Sequence, residues 1–148
     1  MNIRRFKKED ATCVSEVIWT ALDINNSKDY GQDVLLTMKK EYTSKHICLL
    51  SKSRIFLVAE YDGKIAGVGG IEGDIICSVF VDPNKQGNGI GKLIMEALEA
   101  LAKKKKYDFV FLHSSLTAES FYAKIGYCVE KCIADPIYGE NILMKKLL

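Results

Sequence analysis

Between Gln86 and Gly91 the chain reads Gln-Gly-Asn-Gly-Ile-Gly, three alternate glycines set between an apolar run, Ile75 to Val81, and a segment with helical spacing. A helix start preceded by glycines presents backbone N–H groups with no intrahelical partner, together with the positive end of the helix dipole. Glycine lets a bulky anion reach them. This is the chemistry of phosphate binding. Spacing excludes two common nucleotide loops. Read as Gly-x-Gly-x-x-Gly from Gly87 or Gly89, the last glycine position holds Lys92 or Ile94. Read as a Walker loop, Gly91-Lys92 is followed by Leu93 rather than Ser or Thr, and the earlier glycine position holds Gln86. Other reactive side chains are sparse. His113 ends an apolar run, where a histidine can exchange protons near neutral pH, and His46 lies on an early helical segment with less claim to chemistry. Five cysteines, at 13, 48, 77, 128 and 132, contain no Cys-x-x-Cys, and several lie in apolar runs where a thiol behaves as a small hydrophobe, so they read as reduced and mostly structural.

The elements that must carry these residues follow from periodicity. "NIRRF" alternates weakly as a first strand, and Val14, Val17, Ile18 and Leu22 recur at helical spacing. The stretch "GQDVLLTMKKEYTSKHICLLSKS" predicts one interrupted helix or two, broken near Thr43 and Ser44. From Ile55 the period changes. Asp62-Gly63 is a strong hairpin signal and Gly73 marks a second turn, which predicts three antiparallel strands in succession. The third, Ile75 to Val81, is apolar on both faces, as expected of a central strand covered on two sides. After the glycine loop, Ile90, Leu93, Ile94, Ala97, Leu98 and Leu101 predict a helix ending at Lys103 to Lys106, where cations suit the negative end of its dipole. "YDFVFLHSS" predicts a strand, "TAESFYAKIGY" a short helix closed by Gly126, and "YCVEKCI" and "NILMKKLL" two strands around Asp135-Pro136. The expectation is one domain, residues 1–148, with a mixed, mostly antiparallel α/β sheet flanked by helices on both faces.

Gln86-Gly87-Asn88-Gly89-Ile90-Gly91 resembles the Q/R-x-x-G-x-G/A signature of the GNAT family of acyl-CoA N-acyltransferases. "AESFYAKIGY" resembles the family's second signature, a helix carrying "FY" followed by a "GF" or "GY" turn, and the two signatures with the order of elements extend the resemblance over about Ile55 to Tyr127. The resemblance implies that acetyl-CoA is the cosubstrate, its pyrophosphate held by Gln86, Gly87, Asn88, Gly89, Ile90 and Gly91 with Lys92 as an extra contact, and its pantetheine arm paired with Phe80 and Val81. It implies that Tyr122 protonates the departing thiolate. A phenol, ordinarily with a pKa of about 10, suits that task. Members often place an Asn after the fifth strand to hold pantetheine; here Ser114 or Ser115 must replace it. For the base that deprotonates the amine, the resemblance and the position at the head of the central strand favour Asp74 or Glu72 over His113, with turn carboxylates in solvent as the plainer alternative. The implied reaction is direct acetyl transfer to a primary amine of a small molecule or peptide, with no metal and no covalent cysteine, so Cys77 is expected in the core. Glu16, Asp23, Asp29 and Asp33 are the carboxylates that could attract a cationic amine. The alternative is a non-catalytic acyl-CoA-binding sensor or partner module of the same fold.

The charge totals name no partner. Against 21 Lys and Arg stand 19 Asp and Glu, a net charge of +2, which gives no strong field toward nucleic acid or membrane. The apolar runs are too short to span a bilayer and the N-terminus lacks an apolar leader, so a cytoplasmic protein is expected. A homodimer is left open.

Overall fold

The computed structural model describes residues 1–148. Strand β1 is Asn2–Arg5, β2 Ile55–Tyr61, β3 Lys64–Glu72, β4 Ile75–Val81, β5 Phe109–Ser114, β6 Cys128–Asp135 and β7 Gly139–Leu147. They form one sheet in the order β1-β2-β3-β4-β5-β7-β6, antiparallel throughout except for β4 beside β5. Helices are α1 Ala11–Ile24, α2 Gln32–Glu41, α3 Ser44–Leu50, α4 Ile90–Lys104 and α5 Glu119–Lys124. The mixed sheet with helices on both faces is the architecture expected from the periodicity. The interrupted helix is two helices: Tyr42 leaves helical geometry, and the Thr43 hydroxyl then caps α3 by accepting the His46 N–H at 3.2 Å.

Alternate residues of β2 feed two cores, because a strand points successive side chains to opposite faces. Phe56 and Val58 pack with Val14, Ile18, Leu22 and Leu35 under α1 and α2, while Leu57 and Ala59 pack with Ile90, Ile94, Met95 and Leu98 of α4. Each of these side chains other than Ala59 contributes about 1.5–3 kcal/mol of hydrophobic stabilisation. The seat of α4 depends on what β3 lacks. A Cβ on Gly69 would lie 2.4 Å from Ile94 Cγ2 and 2.9 Å from Leu98 Cδ1, and one on Gly67 would lie 2.8 Å from Ile94 Cδ1 and 2.9 Å from Ile90 Cγ2. The helix therefore rests directly on strand backbone. Glu99, on the same helix, is buried but satisfied: it accepts the Tyr127 hydroxyl and the Lys146 ammonium, each at 2.8 Å.

Candidate active site

The site is built around β4, whose pairing is irregular on both edges. Toward β3, Gly70 pairs with Cys77 and Val68 with Phe80, so Ser78 and Val79 together stand opposite Gly69. This is a bulge. Ser78 takes φ 55°, a left-handed conformation that costs a residue with a Cβ about 1–2 kcal/mol. Toward β5, pairing is confined to Ile75 with Phe111 and Ile76 with Leu112. Beyond that point the strands part, and the gap opens into a cavity of about 990 Å³, ample for a ligand with a long flexible arm. The departure of β5 explains why Val79, Phe80 and Val81 are half-buried instead of covered on both faces. All three line the cavity, as does Cys77, which is therefore not a core residue. Burial pushes the Cys77 thiol up, which keeps it protonated and unsuited to nucleophilic attack. Three other cysteines, Cys13, Cys128 and Cys132, are exposed, contrary to the reading of them as small hydrophobes.

The glycine loop closes one end of the cavity. The first helical bond of α4 runs from the Leu93 N–H to the Gly89 carbonyl at 3.1 Å, and the N–H groups from Gln86 to Lys92 donate to no carbonyl or side chain. Gln86, Gly87, Gly89, Ile90, Gly91 and Lys92 line the cavity. Gly87 and Gly89 have φ 85° and 78°, and a Cβ on either would meet nothing within 4 Å. They are glycines for their backbone angle, and the space above them is free. Gly91 is a glycine for room, since its Cβ would lie 3.1 Å from Phe121 Cζ. Asn88 differs from the expectation: it does not line the cavity, and its carboxamide donates to the Lys85 carbonyl at 2.9 Å, tying the loop to the turn before it. The Lys92 ammonium lies 3.9 Å from Glu96 on the exposed face of α4.

Tyr122 also lines the cavity. The residue is 8% exposed, packs edge-on against Phe121 and Tyr127, and its hydroxyl forms no bond within the protein. Burial drives its pKa far above the ordinary phenol value, so it is fully protonated at neutral pH. Of the two serines after β5, Ser115 lines the cavity while Ser114 is buried with its hydroxyl given to the Ser115 carbonyl at 2.7 Å. Ser115 Oγ accepts the Ala118 N–H at 3.3 Å, which leaves its own proton for a ligand.

The expected carboxylates are elsewhere. Neither Glu72 nor Asp74 lines the cavity, because both belong to the β3–β4 hairpin, on the side of the β4–β5 pairing away from the gap. Glu72 accepts from Ser53 Oγ at 3.0 Å and lies 3.8 Å from Arg54 Nε. His113 does line the cavity. Its Nδ1 is 3.0 Å from Asn141 Oδ1; an amide oxygen only accepts, so this contact assigns a proton to Nδ1 and leaves Nε2 as the ring nitrogen without a protein partner. His46 is outside.

At the end away from the loop, the lining comes from α1, α2 and the β6–β7 turn. Glu41 accepts a very short hydrogen bond from Tyr138, whose pKa is pushed up to about 12 mainly by that bond. Asp135 accepts the N–H groups of Ile137 and Tyr138 at 2.7 and 2.8 Å, which holds it below the usual carboxylate range. These two are the carboxylates of the cavity. Glu16, Asp23, Asp29 and Asp33 do not line it, and Asp29 instead accepts from the Thr117 N–H and hydroxyl. Sequence reasoning also missed Tyr42 and Ser78, whose hydroxyl oxygens are 2.8 Å apart on the cavity wall. The proline turn near Tyr138 was the one local signal for this end.

Comparison with known proteins agrees with this arrangement. The sequence profile of the acetyltransferase (GNAT) domain matches residues 26–144. An uncharacterized acetyltransferase of Streptococcus pyogenes serotype M3 is 34% identical over 58 residues, which are 38% of this chain and 41% of that protein, so the match spans about two fifths of the relative's length. Among solved structures, a GCN5-related N-acetyltransferase of Rhodopseudomonas palustris superposes with a TM-score of 0.91 at 22% identity, covering 99% of this chain and 95% of its own. The PaiA N-acetyltransferase of Thermoplasma acidophilum, solved in complex with coenzyme A, gives 0.84 at 21% identity, with 99% and 98% covered. At such identities the solved structures establish a common fold. The profile, spanning most of the sequence, establishes more: the chain belongs to the GNAT acetyltransferase family.

Proposed function

We propose that the protein transfers the acetyl group of acetyl-CoA directly to a primary amine of a small molecule or peptide. One observation carries the reading: a single cavity runs from a loop of unpartnered N–H groups, along the free edge of β4, to an unpartnered phenol and a histidine whose Nε2 has no protein partner. The loop fits the pyrophosphate, whose charge matches its N–H groups and the α4 dipole. The β4 edge from Val79 to Val81 and the Ser115 hydroxyl fit the amides of the pantetheine arm. Two solved relatives carry coenzyme A, which supports the same ligand here. Acetyl-CoA supplies the activated acyl carbon. His113 Nε2 takes a proton from the ammonium, the neutral nitrogen bonds that carbon, and Tyr122 gives its proton to the sulfur as the C–S bond breaks; the second proton lost by the nitrogen restores the phenol. Glu41 and Asp135 suit an acceptor carrying positive charge.

The test is thiol release from acetyl-CoA with 1,4-diaminobutane and with a short peptide bearing a free N-terminus. Saturable release with either supports transfer; coenzyme A binding without release for any amine would place the chain among acyl-CoA-binding modules. The role of His113 has its own signature in pH. A primary amine with a pKa near 10 is almost wholly protonated at neutral pH and needs a base there, but supplies its own neutral form at high pH. His113→Ala should therefore lower turnover about tenfold near pH 7 and much less above pH 9. Asp74→Asn should leave the profile unaltered. A His113→Ala profile parallel to the wild type would move the base elsewhere.

A further inference from the structure

Arg54 precedes β2 and is mostly buried, its side chain 18% exposed. Its stem lies on Gly70, where a Cβ would come within 3.0 Å of Arg54 Cδ, and its guanidinium carbon is 5.9 Å from the Phe56 ring centroid. Nη1 donates to Ser78 Oγ at 2.8 Å. Nε lies 3.8 Å from the Glu72 carboxylate, too far for a hydrogen bond, and is the one side-chain nitrogen or oxygen in the chain sealed from both solvent and cavity that has no partner. Burying a cation with a donor unsatisfied is costly. An arginine that merely fastened the α3–β2 turn to the sheet would close the bond to Glu72; this one spends its good geometry on Ser78.

Ser78 occupies the bulge at the point where β4 and β5 part, held at φ 55°. Its Oγ accepts from Arg54 and is 2.8 Å from the Tyr42 hydroxyl, with the Cys77 sulfur, a weak acceptor, beside it. Two hydroxyl protons are available and the link between the oxygens uses one. The other has no oxygen or nitrogen acceptor in the protein, and both residues line the cavity. A neighbouring cation polarises such a pair and strengthens the remaining O–H as a donor.

We propose that Arg54 is a positioning residue for acyl transfer, holding Ser78 so that the Ser78 O–H donates to the Tyr42 oxygen and the Tyr42 O–H donates to the acyl oxygen as negative charge develops there. The inference rests on the reading of the cavity as an acetyl-CoA site, with the thioester at the parting of β4 and β5. Glu72 then serves as the counter-charge of Arg54, not as a base. Such a donor is worth most where its geometry is fixed in advance and water is excluded.

The measurement is the infrared C=O stretch of acetyl-CoA labelled with ¹³C at the carbonyl, free and bound, in the full-length protein. A donated hydrogen bond lowers the stretch of the bound thioester. Tyr42→Phe keeps the ring on Phe80, where the centroids are 5.5 Å apart, and removes the hydroxyl. It should return the stretch toward the free value and lower turnover with 1,4-diaminobutane about tenfold, with acetyl-CoA affinity changed less than twofold. Arg54→Gln should do the same, and Arg54→Lys should recover part of the shift. An unaltered bound stretch in Tyr42→Phe overturns the inference, even if Arg54→Gln fails to fold. Failure of acetyl-CoA to bind the wild-type protein overturns the transferase reading and this inference together.

Discussion

Gly89→Val is expected to weaken coenzyme A binding by about a hundredfold or more while the domain stays folded. At φ 78° a β-branched residue is disfavoured by about 1–2 kcal/mol, so the loop must leave the left-handed region and turn its N–H groups away from their common focus. Hydrogen bonds to a charged group contribute about 1.5–3 kcal/mol each, and the loss of two corresponds to two to four decades in dissociation constant. The fold should tolerate the change, since a Cβ at this position meets no protein atom within 4 Å. Isothermal titration calorimetry on a variant with wild-type circular dichroism decides the matter. Unchanged affinity would mean that the loop does not hold the pyrophosphate.

Tyr122→Phe is expected to lower turnover about a hundredfold with little change in acetyl-CoA affinity, as for loss of one acid catalyst. The substitution is unusually clean. The ring keeps its contacts with Phe121 at 5.0 Å and Tyr127 at 5.9 Å, and the hydroxyl has no protein partner to leave stranded. The melting temperature should therefore hold or rise slightly while the rate falls. A variant with wild-type turnover would reduce Tyr122 to a packing residue.

Features encoded by neighbours along the chain are legible from residue types and spacing alone. The Asp62-Gly63 hairpin has both residues at positive φ, and α4 runs over the predicted stretch with Ile90, Ile94 and Leu98 buried. The glycine loop belongs to the same class, because its donors are successive backbone groups. What sequence could not display is set by contacts distant along the chain. The β4 bulge depends on Gly69 opposite and on Arg54, twenty-four residues before Ser78. The parting of β4 from β5 leaves no mark in "IICSVFV", so Cys77 reads as core although it faces the cavity. Proximity of Glu72 and Asp74 to the central strand suggests a base, whereas the hairpin carries both away from the gap. His113 and Asn141 meet only because β5 pairs with β7, which brings together a histidine and an amide twenty-eight residues apart.

The close seating of α4 on β3 makes the anion cradle preorganised. With Ile90 and Ile94 pressed onto the backbone of Gly67 and Gly69, the first turn of the helix has little freedom left to lose when a ligand arrives, so the conformational-entropy cost of binding is small. Affinity is thereby partly a property of the strand beneath. Gly67→Ala, which touches no ligand and whose Cβ would lie 2.8 Å from Ile94 Cδ1 and 2.9 Å from Ile90 Cγ2, would push the helix start outward. It should weaken coenzyme A binding several-fold, on the order of 1 kcal/mol, and loosen amide-exchange protection from Leu93 onward, where the helical bonds of α4 begin. The two glycines of β3 act on the ligand through a helix, by what they leave out.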